Sequence, residues 1–419
     1  MDQAEAETTV EGARGGHTQR IIEFLGLRRS MVALLTMVVL VGLGEKMAER
    51  FLPVYIIALG GSAQSVGLLN GMDNLLSALY SYPGGYISDR LGYKGALLVF
   101  NLIALFGYLI VILIPTWQMV IVGSIFFISW TAISLPATMS MVSQILPTTK
   151  RTMGVSMHSL VRRIPMALGP VIGGAFIQIY GRTVGTRIAF GAAFVLGIVA
   201  LIAQQVLISD RDRSLGRQEA EANPLRALAG MSHDLRALLV SDILVRFCEQ
   251  IPYAFLAIWS LDYVGITPVQ FGALTAIEMV TAMLVYIPVA YLADRSGKKP
   301  FVAITFVFFT LFPLALMLSR SMPMLVLAFI IRGLKEFGEP TRKALIMDLA
   351  PEGRKASTFG VYYLIRDVIV SIAAFGGAVL WRMSPTINLT AAFVFGVLGT
   401  LWFLVRGRDL GQPGPAVTG

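Results

Sequence analysis

Charge is scarce in this chain. Only 14% of its 419 residues are Asp, Glu, Lys or Arg, while 56% are hydrophobic. A soluble chain of this size needs far more charge to cover its surface, so a water-soluble globule is excluded. Short segments of alternating polarity are lacking too, which removes a strand-built membrane barrel. The single cysteine, Cys248, excludes an intrachain disulfide and any multi-cysteine metal site. The three histidines, His17, His158 and His233, are too scattered for a metal cluster. A phosphate-binding loop, metal-ligand spacing and a nucleophile–histidine constellation are all missing, so neither an enzyme nor a bound cofactor is expected.

What is plentiful is apolar sequence in runs of about 20 residues, long enough to cross a hydrocarbon core of about 30 Å. Helices are the spanning element, because they satisfy every backbone polar group internally. Spans are expected at 31–58, 65–88, 94–114, 117–146, 154–180, 187–208, 237–263, 269–293, 300–319, 322–349, 356–381 and 387–405. The expected fold class is therefore an all-α membrane protein of about twelve transmembrane helices. The loops alternate in charge. One side carries Arg28, Arg29, Arg90, Lys94, Lys150, Arg151, Arg211, Arg213, Arg217, Arg295, Lys298, Lys299, Arg354, Lys355, Arg406 and Arg408. The other has only Arg182, Arg187, Arg320 and Arg382. The positive-inside rule then puts both termini and the central loop in the cytoplasm, with a bacterial inner membrane as the expected location. The formal charge of +9 reads as anchoring at the lipid bilayer, not as nucleic-acid binding.

Residues 1–29 are expected to form a cytoplasmic tail without the charged-then-apolar pattern of a signal peptide. The polar, charged stretch 209–236 is the only long connection. It divides a first bundle, 30–208, from a second, 237–405, with a cytoplasmic tail at 406–419. An internal repeat supports that division. An offset of 205 carries Gly67 to Gly272, Asp73 to Glu278, Pro83 to Pro288, Asp89 to Asp294, Arg90 to Arg295, Gly92 to Gly297 and Lys94 to Lys299. An offset of 204 carries Glu45 to Glu249, Pro136 to Pro340, Pro147 to Pro351, Arg162 to Arg366 and Gly173 to Gly377. Both halves keep the same loop polarity, so an axis along the membrane normal should relate them.

Between the second and third spans lies Gly85-Tyr-Ile-Ser-Asp89-Arg90-Leu-Gly92-Tyr-Lys94. Between the eighth and ninth lies Ala290-Tyr-Leu-Ala-Asp294-Arg295-Ser-Gly297-Lys298-Lys299. Each is a short basic turn in which glycine permits a tight backbone and the acid can pair with a cation or a helix N-terminus. With these two copies the sequence resembles the major facilitator superfamily, whose G-x-L-A-D-R-x-G-R-K loop signature they match. The resemblance covers about residues 30–405. It implies two six-helix bundles flanking a central cavity and rocking about a midplane site. It also implies that Asp89 and Arg90 help lock the cytoplasmic side when the protein opens outward. The second copy departs by having Ala290 at the first glycine. In the fifth span, Leu168-Gly169-Pro170-Val-Ile-Gly173-Gly174 looks like the G-P-x-x-G-G element of proton-coupled antiporters in this family. That points to the drug or small-molecule:proton antiporter branch. Physically, proline removes a backbone donor and glycines allow close helix contact, so a plain packing seam is the competing account. Only the first half carries the element, since Ala373 and Ala374 stand opposite Gly169 and Pro170. The fourth span, with Ile128, Ser129 and Trp130, lacks the arginine many family antiporters place there.

The ionisable groups inside spans are unevenly distributed. Glu45, Lys46, Glu49 and Arg50 lie in the first span, Asp73 in the second, and Arg162 and Arg163 in the fifth. Arg246 and Glu249 lie in the seventh, Glu278 in the eighth, Arg332, Lys335, Glu336 and Glu339 in the tenth, and Arg366 and Asp367 in the eleventh. The ninth and twelfth carry none, and the third and sixth only Lys94 and Arg187 at their first positions. A charge at a helix centre costs about 2.5–3.5 kcal/mol on insertion scales. In the family fold those four helices face lipid and the others line the cavity.

Glu45 lies about midway along its span, with Glu49 one turn below. A carboxylate in a low-dielectric cavity resists ionisation, which is what a proton carrier needs. Glu45 is the expected coupling site, and the competing account is an ion pair with Arg246, Arg332 or Arg366. Arg246 is within local reach of Glu249. Asp73 and Glu278 occupy matching outer-half places and suggest a gate or polar packing. The i,i+4 pairs Arg332/Glu336 and Lys335/Glu339 can each neutralise themselves on one helix face. So dense a tenth span suggests a charge-switching network, or a grip on an anion. Trp130, Tyr253, Trp259 and Tyr362 are candidates for lining the cavity or for ordinary packing.

These features support proton-driven export of an amphipathic small molecule, with protons or another ion as the coupling partner. Transport of an anionic solute held by Arg246, Arg332 and Arg366 is an alternative, and a non-transporting receptor is a third. The lack of a nucleotide-binding domain favours secondary over ATP-driven transport.

Overall fold

The structure is a computed structural model, and it describes residues 29–127, 130, 161–207, 231–350 and 355–408. Most of the expected fourth span beyond Phe127, the start of the fifth and the central loop lie outside these residues. The described elements are helical throughout. They are α1 (Arg29–Glu49), α2 (Leu52–Ala58), α3 (Ala63–Leu113), α4 (Trp117–Phe127) and α5 (Arg163–Leu207). They continue with α6 (His233–Tyr253), α7 (Leu256–Ile258), a π-helical turn (Trp259–Tyr263) and α8 (Pro268–Ser296). The last are α9 (Lys299–Leu318), α10 (Met322–Leu334), α11 (Glu339–Leu349), α12 (Lys355–Met383) and α13 (Pro385–Arg406).

Two of these are pairs of helices joined without a gap. Gly92 breaks α3 with φ 70° and ψ 164°, and Gly181 breaks α5 with φ 82° and ψ 167°. An L side chain resists that backbone, so glycine sets the turns. Gly297, the repeat mate of Gly92, ends α8 at φ 89°. The same offset of 205 relates Gly60 (φ 84°) to Gly265 (φ 81°) in the turns before α3 and α8. The caps that follow repeat as well. The Ser62 N–H donates to Ser65 Oγ at 3.4 Å, and the Thr267 N–H donates to Gln270 Oε1 at 2.8 Å. The repeat is thus a repeat of backbone geometry.

Among the described residues, six helices are apolar and long enough to cross a membrane. They are Lys94–Leu113, Arg163–Leu207, Pro268–Val285, Lys299–Leu318, Thr358–Met383 and Pro385–Arg406. Helix α6 falls outside that set because of its ionisable groups, and α10 and α11 because each is short. The third, sixth, ninth and twelfth expected spans turn large apolar side chains outward. Phe106, Val206, Ile304, Leu318, Leu401 and Val405 are all exposed. This is the face the insertion penalty assigns to lipid.

Within the first half, α1 packs on α5, and α3 on α4 and α5; within the second, α6 packs on α12 and α13, and α9 on α10 and α13. Across the halves, α3 packs on α12 and α5 on α8. The repeat exchanges these two crossings. Small residues set both. A Cβ at Gly67 would run into Ala378, and one at Gly272 would run into the Pro170 backbone. A buried polar network is satisfied within the first half. Trp130 Nε1 donates to Asn101 Oδ1 at 3.0 Å, and Asn101 Nδ2 donates to Gln204 Oε1 at 2.7 Å.

Candidate functional site

The signature loops sit at the end of the molecule that carries Arg29 and Arg408. Gly85 lies within α3, and the side chains of Asp89, Asp294 and Arg295 lie outside the described ones. Arg90 is exposed. The lysines are placed alike in both copies. Lys94 Nζ donates to the carbonyl oxygen of Gln205 at 3.0 Å, and Lys299 Nζ donates to that of Leu404 at 3.2 Å. Each acceptor belongs to the last turn of the half's final helix, where a cation offsets unpaired carbonyls and the helix dipole.

At the opposite end the halves are in contact. Arg182, at the turn within α5, pairs with Asp262 in the π-helical turn of the other half. A Cβ at Gly174 would meet the Pro268 carbonyl. The π-turn carries stacked Trp259 and Tyr263, ring centroids 5.1 Å apart. If this end closes the molecule, cysteines at Arg182 and Asp262 joined by a short bifunctional thiol reagent should cut solute flux to below about a tenth. Cys248 is buried and offers no competing thiol. Undiminished flux in the cross-linked protein contradicts the closure.

Between the two ends lies the central space. A lower chamber of about 1120 Å³, part of it continuous with solvent, is lined by Arg162, Arg163, Arg246, Glu249, Glu336 and Glu339, among others. An upper chamber of about 510 Å³ is lined by Glu49, Leu52, Leu69, Asn70, Ala257 and Phe271, among others. Arg50, Asp73, Tyr253 and Arg332 belong to both. Polar contacts bridge the halves here. Arg50 donates to Tyr253 Oη at 2.8 Å, and Asn74 Nδ2 donates to Gln250 Oε1 at 3.2 Å. Arg163 reaches Glu336 Oε2 at 3.2 Å.

The second half supplies a continuous chain of alternating charge. Asp242 and Glu339 share Arg342, which is 2.7 Å from Glu339 Oε1. Glu339 also faces Arg246 at 3.6 Å, and Arg246 lies 2.5 Å from Glu249. Lys335 bridges Glu249 at 2.5 Å and Glu278 at 3.8 Å, and Arg332 closes the chain on Glu278 at 3.1 Å. Arg366 joins from the side, 3.4 Å from Asp242 and 2.7 Å from Asp367. Tyr362 donates to Asp242 Oδ2 at 3.1 Å. The first half has a smaller unit in which Lys46 stands between Glu45, at 3.1 Å, and Glu49.

Several sequence expectations are corrected here. Glu45 does not pair with Arg246, Arg332 or Arg366; its partner is the adjacent Lys46. The two i,i+4 pairs of the tenth span do not form. Helix α10 ends at Leu334 and α11 starts at Glu339, and between them Glu336 and Phe337 donate to Gly333 and Leu334 in tight i−3 bonds. That break rotates the second segment, so Arg332, Lys335 and Glu336 turn to other helices, while Glu339 pairs with Arg342 on its own helix and faces Arg246 across the gap. Arg246, Arg332 and Arg366, expected as an anion cluster, each carry a carboxylate partner already. Of the four aromatic candidates only Tyr253 lines the space. Trp259 Nε1 donates to the Leu316 carbonyl, and Trp130 and Tyr362 are tied into the buried networks above.

The glycine-proline element forms a seam on two sides. A Cβ at Gly169 would stand 2.7 Å from Lys46 Cβ, and one at Gly173 would overlap the Met47 carbonyl oxygen. Gly174 and Pro170 face α8. Sequence reasoning missed Asp242 and Arg342, each 1% exposed. Both are ionisable groups inside expected spans, so a uniform search for charge in apolar segments finds them.

Comparison with known proteins agrees with this geometry. The family model described as Major Facilitator Superfamily matches residues 34–248 and again 238–418. An MFS-type transporter of Methanocaldococcus jannaschii is 20% identical over 370 residues, 86% of this chain and 91% of its own. A mutant of the nucleoside transporter NupG has a similar structure, with TM-score 0.74 at 14% identity, covering 90% of this chain and 100% of that one. The peptide transporter POT in complex with sulfate gives TM-score 0.72 at 15% identity, covering 90% of this chain and 93% of that one.

Proposed function

Since the chain belongs to the Major Facilitator Superfamily and is a membrane transporter, we propose that it exports a small amphipathic organic solute by alternating access, driven by protons. The observation that carries this reading is the Glu45–Lys46–Glu49 unit beside the central space. One lysine serves two carboxylates there. A proton taken up by either acid releases the lysine to the other, which alters the charge α1 presents to the chamber. Lys46 and Met47 also form the seam with Gly169 and Gly173 of α5. A change in this unit therefore acts where α1 and α5 meet, and α5 in turn packs on α8 of the other half. Inward movement of one charge through the membrane potential supplies about 2.3 kcal/mol per 100 mV. The contacts at the Arg182 end support a state open toward the termini, which the positive-inside rule assigns to the cytoplasm. Peptide and nucleoside transporters share the fold, but at 14–15% identity their cargo does not transfer.

Purified protein in proteoliposomes tests the reading. A pH gradient should drive solute flux, and Glu45→Gln should lower that flux at least about tenfold while the protein stays monodisperse. Counterflow, which needs no net proton movement, should persist in the same variant. Wild-type pH-driven flux in Glu45→Gln would refute the assignment.

A further inference from the structure

Most charges on the chamber walls are already matched. In the second half each acid of the chain has a basic partner, as described above. On the first half three groups are unmatched among the described residues. There the Asp73 carboxylate meets only the Ser77 hydroxyl, at 3.5 Å, and no described cation lies within 4 Å of it. The Arg50 guanidinium donates to Tyr253 Oη and lies 5.4 Å from the centre of that ring, with no carboxylate within 4 Å among the described residues. Arg162 likewise has no described carboxylate within that distance. Asp73 and Arg50 come from α3 and the end of α1 and face the same two chambers. They nevertheless do not neutralise each other.

Charges removed from water are costly unless paired, so a fold that holds an acid and a base apart in one chamber leaves both for a ligand. A simple anion would meet Arg50 but be repelled by Asp73. A simple cation would meet the reverse. The upper chamber adds apolar walls in Leu52, Pro53, Leu69 and Phe271. Resting on the transport reading, we propose that the cargo is an amphoteric organic solute, its ammonium group held by Asp73, its acidic group by Arg50, and its apolar body lodged in the upper chamber. Arg162 lies in the lower chamber only, where it is the further cation without a described carboxylate within 4 Å.

A matched set of probes tests this. Phenylalanyl-leucine is zwitterionic, its N-acetyl derivative is an anion and its C-terminal amide is a cation, on one apolar scaffold. Binding of each to the full chain in nanodiscs is measured by calorimetry at a single neutral pH. The zwitterion should bind at least about tenfold more tightly than either derivative. Asp73→Asn should bring the free and N-acetyl forms to within about threefold of each other. Arg50→Gln should do the same for the free and amide forms. Asp73→Glu should restore discrimination for the amine, which separates lost recognition from lost folding. Equal binding of the three forms by the wild type, binding of none, or unchanged discrimination in Asp73→Asn would overturn the proposal. The proton-coupled reading is judged separately: a zwitterion that binds but shows no pH-driven flux removes the coupling and leaves the recognition intact. Strong pH-driven flux of the cation alone does the opposite.

Discussion

Alanine at Gly173 should leave little folded protein. The added methyl would occupy the space of the Met47 carbonyl oxygen. That oxygen belongs to helix backbone and cannot swing away as a side-chain tip can. The α1–α5 interface must then separate along its length. Overpacking costs typically ~1–3 kcal/mol, and a clash with backbone belongs at or above the top of that range. The repeat extends the test. Gly377 lies 204 residues on, and a Cβ there would run into the Ile251 carbonyl, the repeat mate of Met47. Gly377→Ala should therefore fail in the same way. Gly376, one residue earlier, has open space around its Cβ position, so Gly376→Ala is the control and should be neutral. Thermal unfolding followed by size-exclusion recovery reads all three. Equal melting temperatures for Gly173→Ala and Gly376→Ala would show that the seam is not tight.

The second large effect is expected at Arg342. Its guanidinium is 1% exposed and lies between Asp242 and Glu339. Removing one partner of a buried pair costs about 3–5 kcal/mol, because the other charge stays buried. Here the loss should fall at the lower end, since Arg366 remains 3.4 Å from Asp242 and Arg246 3.6 Å from Glu339. Arg342→Met should thus lower the melting temperature strongly. Adding Asp242→Leu should recover part of the loss, as replacing both members of a buried pair with apolar groups is often neutral. A double variant less stable than Arg342→Met would mean that Asp242 is held mainly by Arg366 and Tyr362.

The sequence shows unequal amounts of these two stories. Gly173 and Gly377 are visible in the repeat, and the close contact of their segments follows from their glycines. The seam partner is not visible, because which backbone a glycine meets depends on helix crossing. The charge network is legible as composition only. The ionisable groups found in the spans include the members of the chain other than Asp242 and Arg342, yet local spacing pairs them wrongly at Arg332, Lys335, Glu336 and Glu339. A break of four residues between α10 and α11 undoes the helical phase on which that pairing rests. Asp73 illustrates the same limit. Its repeat mate Glu278 is matched by Arg332, whereas Asp73 faces open space.

By itself the sequence determined the solvent, the helical class, the twofold plan and the places where the backbone must turn. Each of those follows from a cost paid locally, whether the transfer of a charge into hydrocarbon or the strain of a side chain at positive φ. Only the tertiary structure decided which acid meets which base, which aromatic reaches the chamber and which charges remain unmatched. Those depend on the rotation and crossing of helices distant in the chain, and a shift of one residue in register would rewrite every pair without changing the cost of any span.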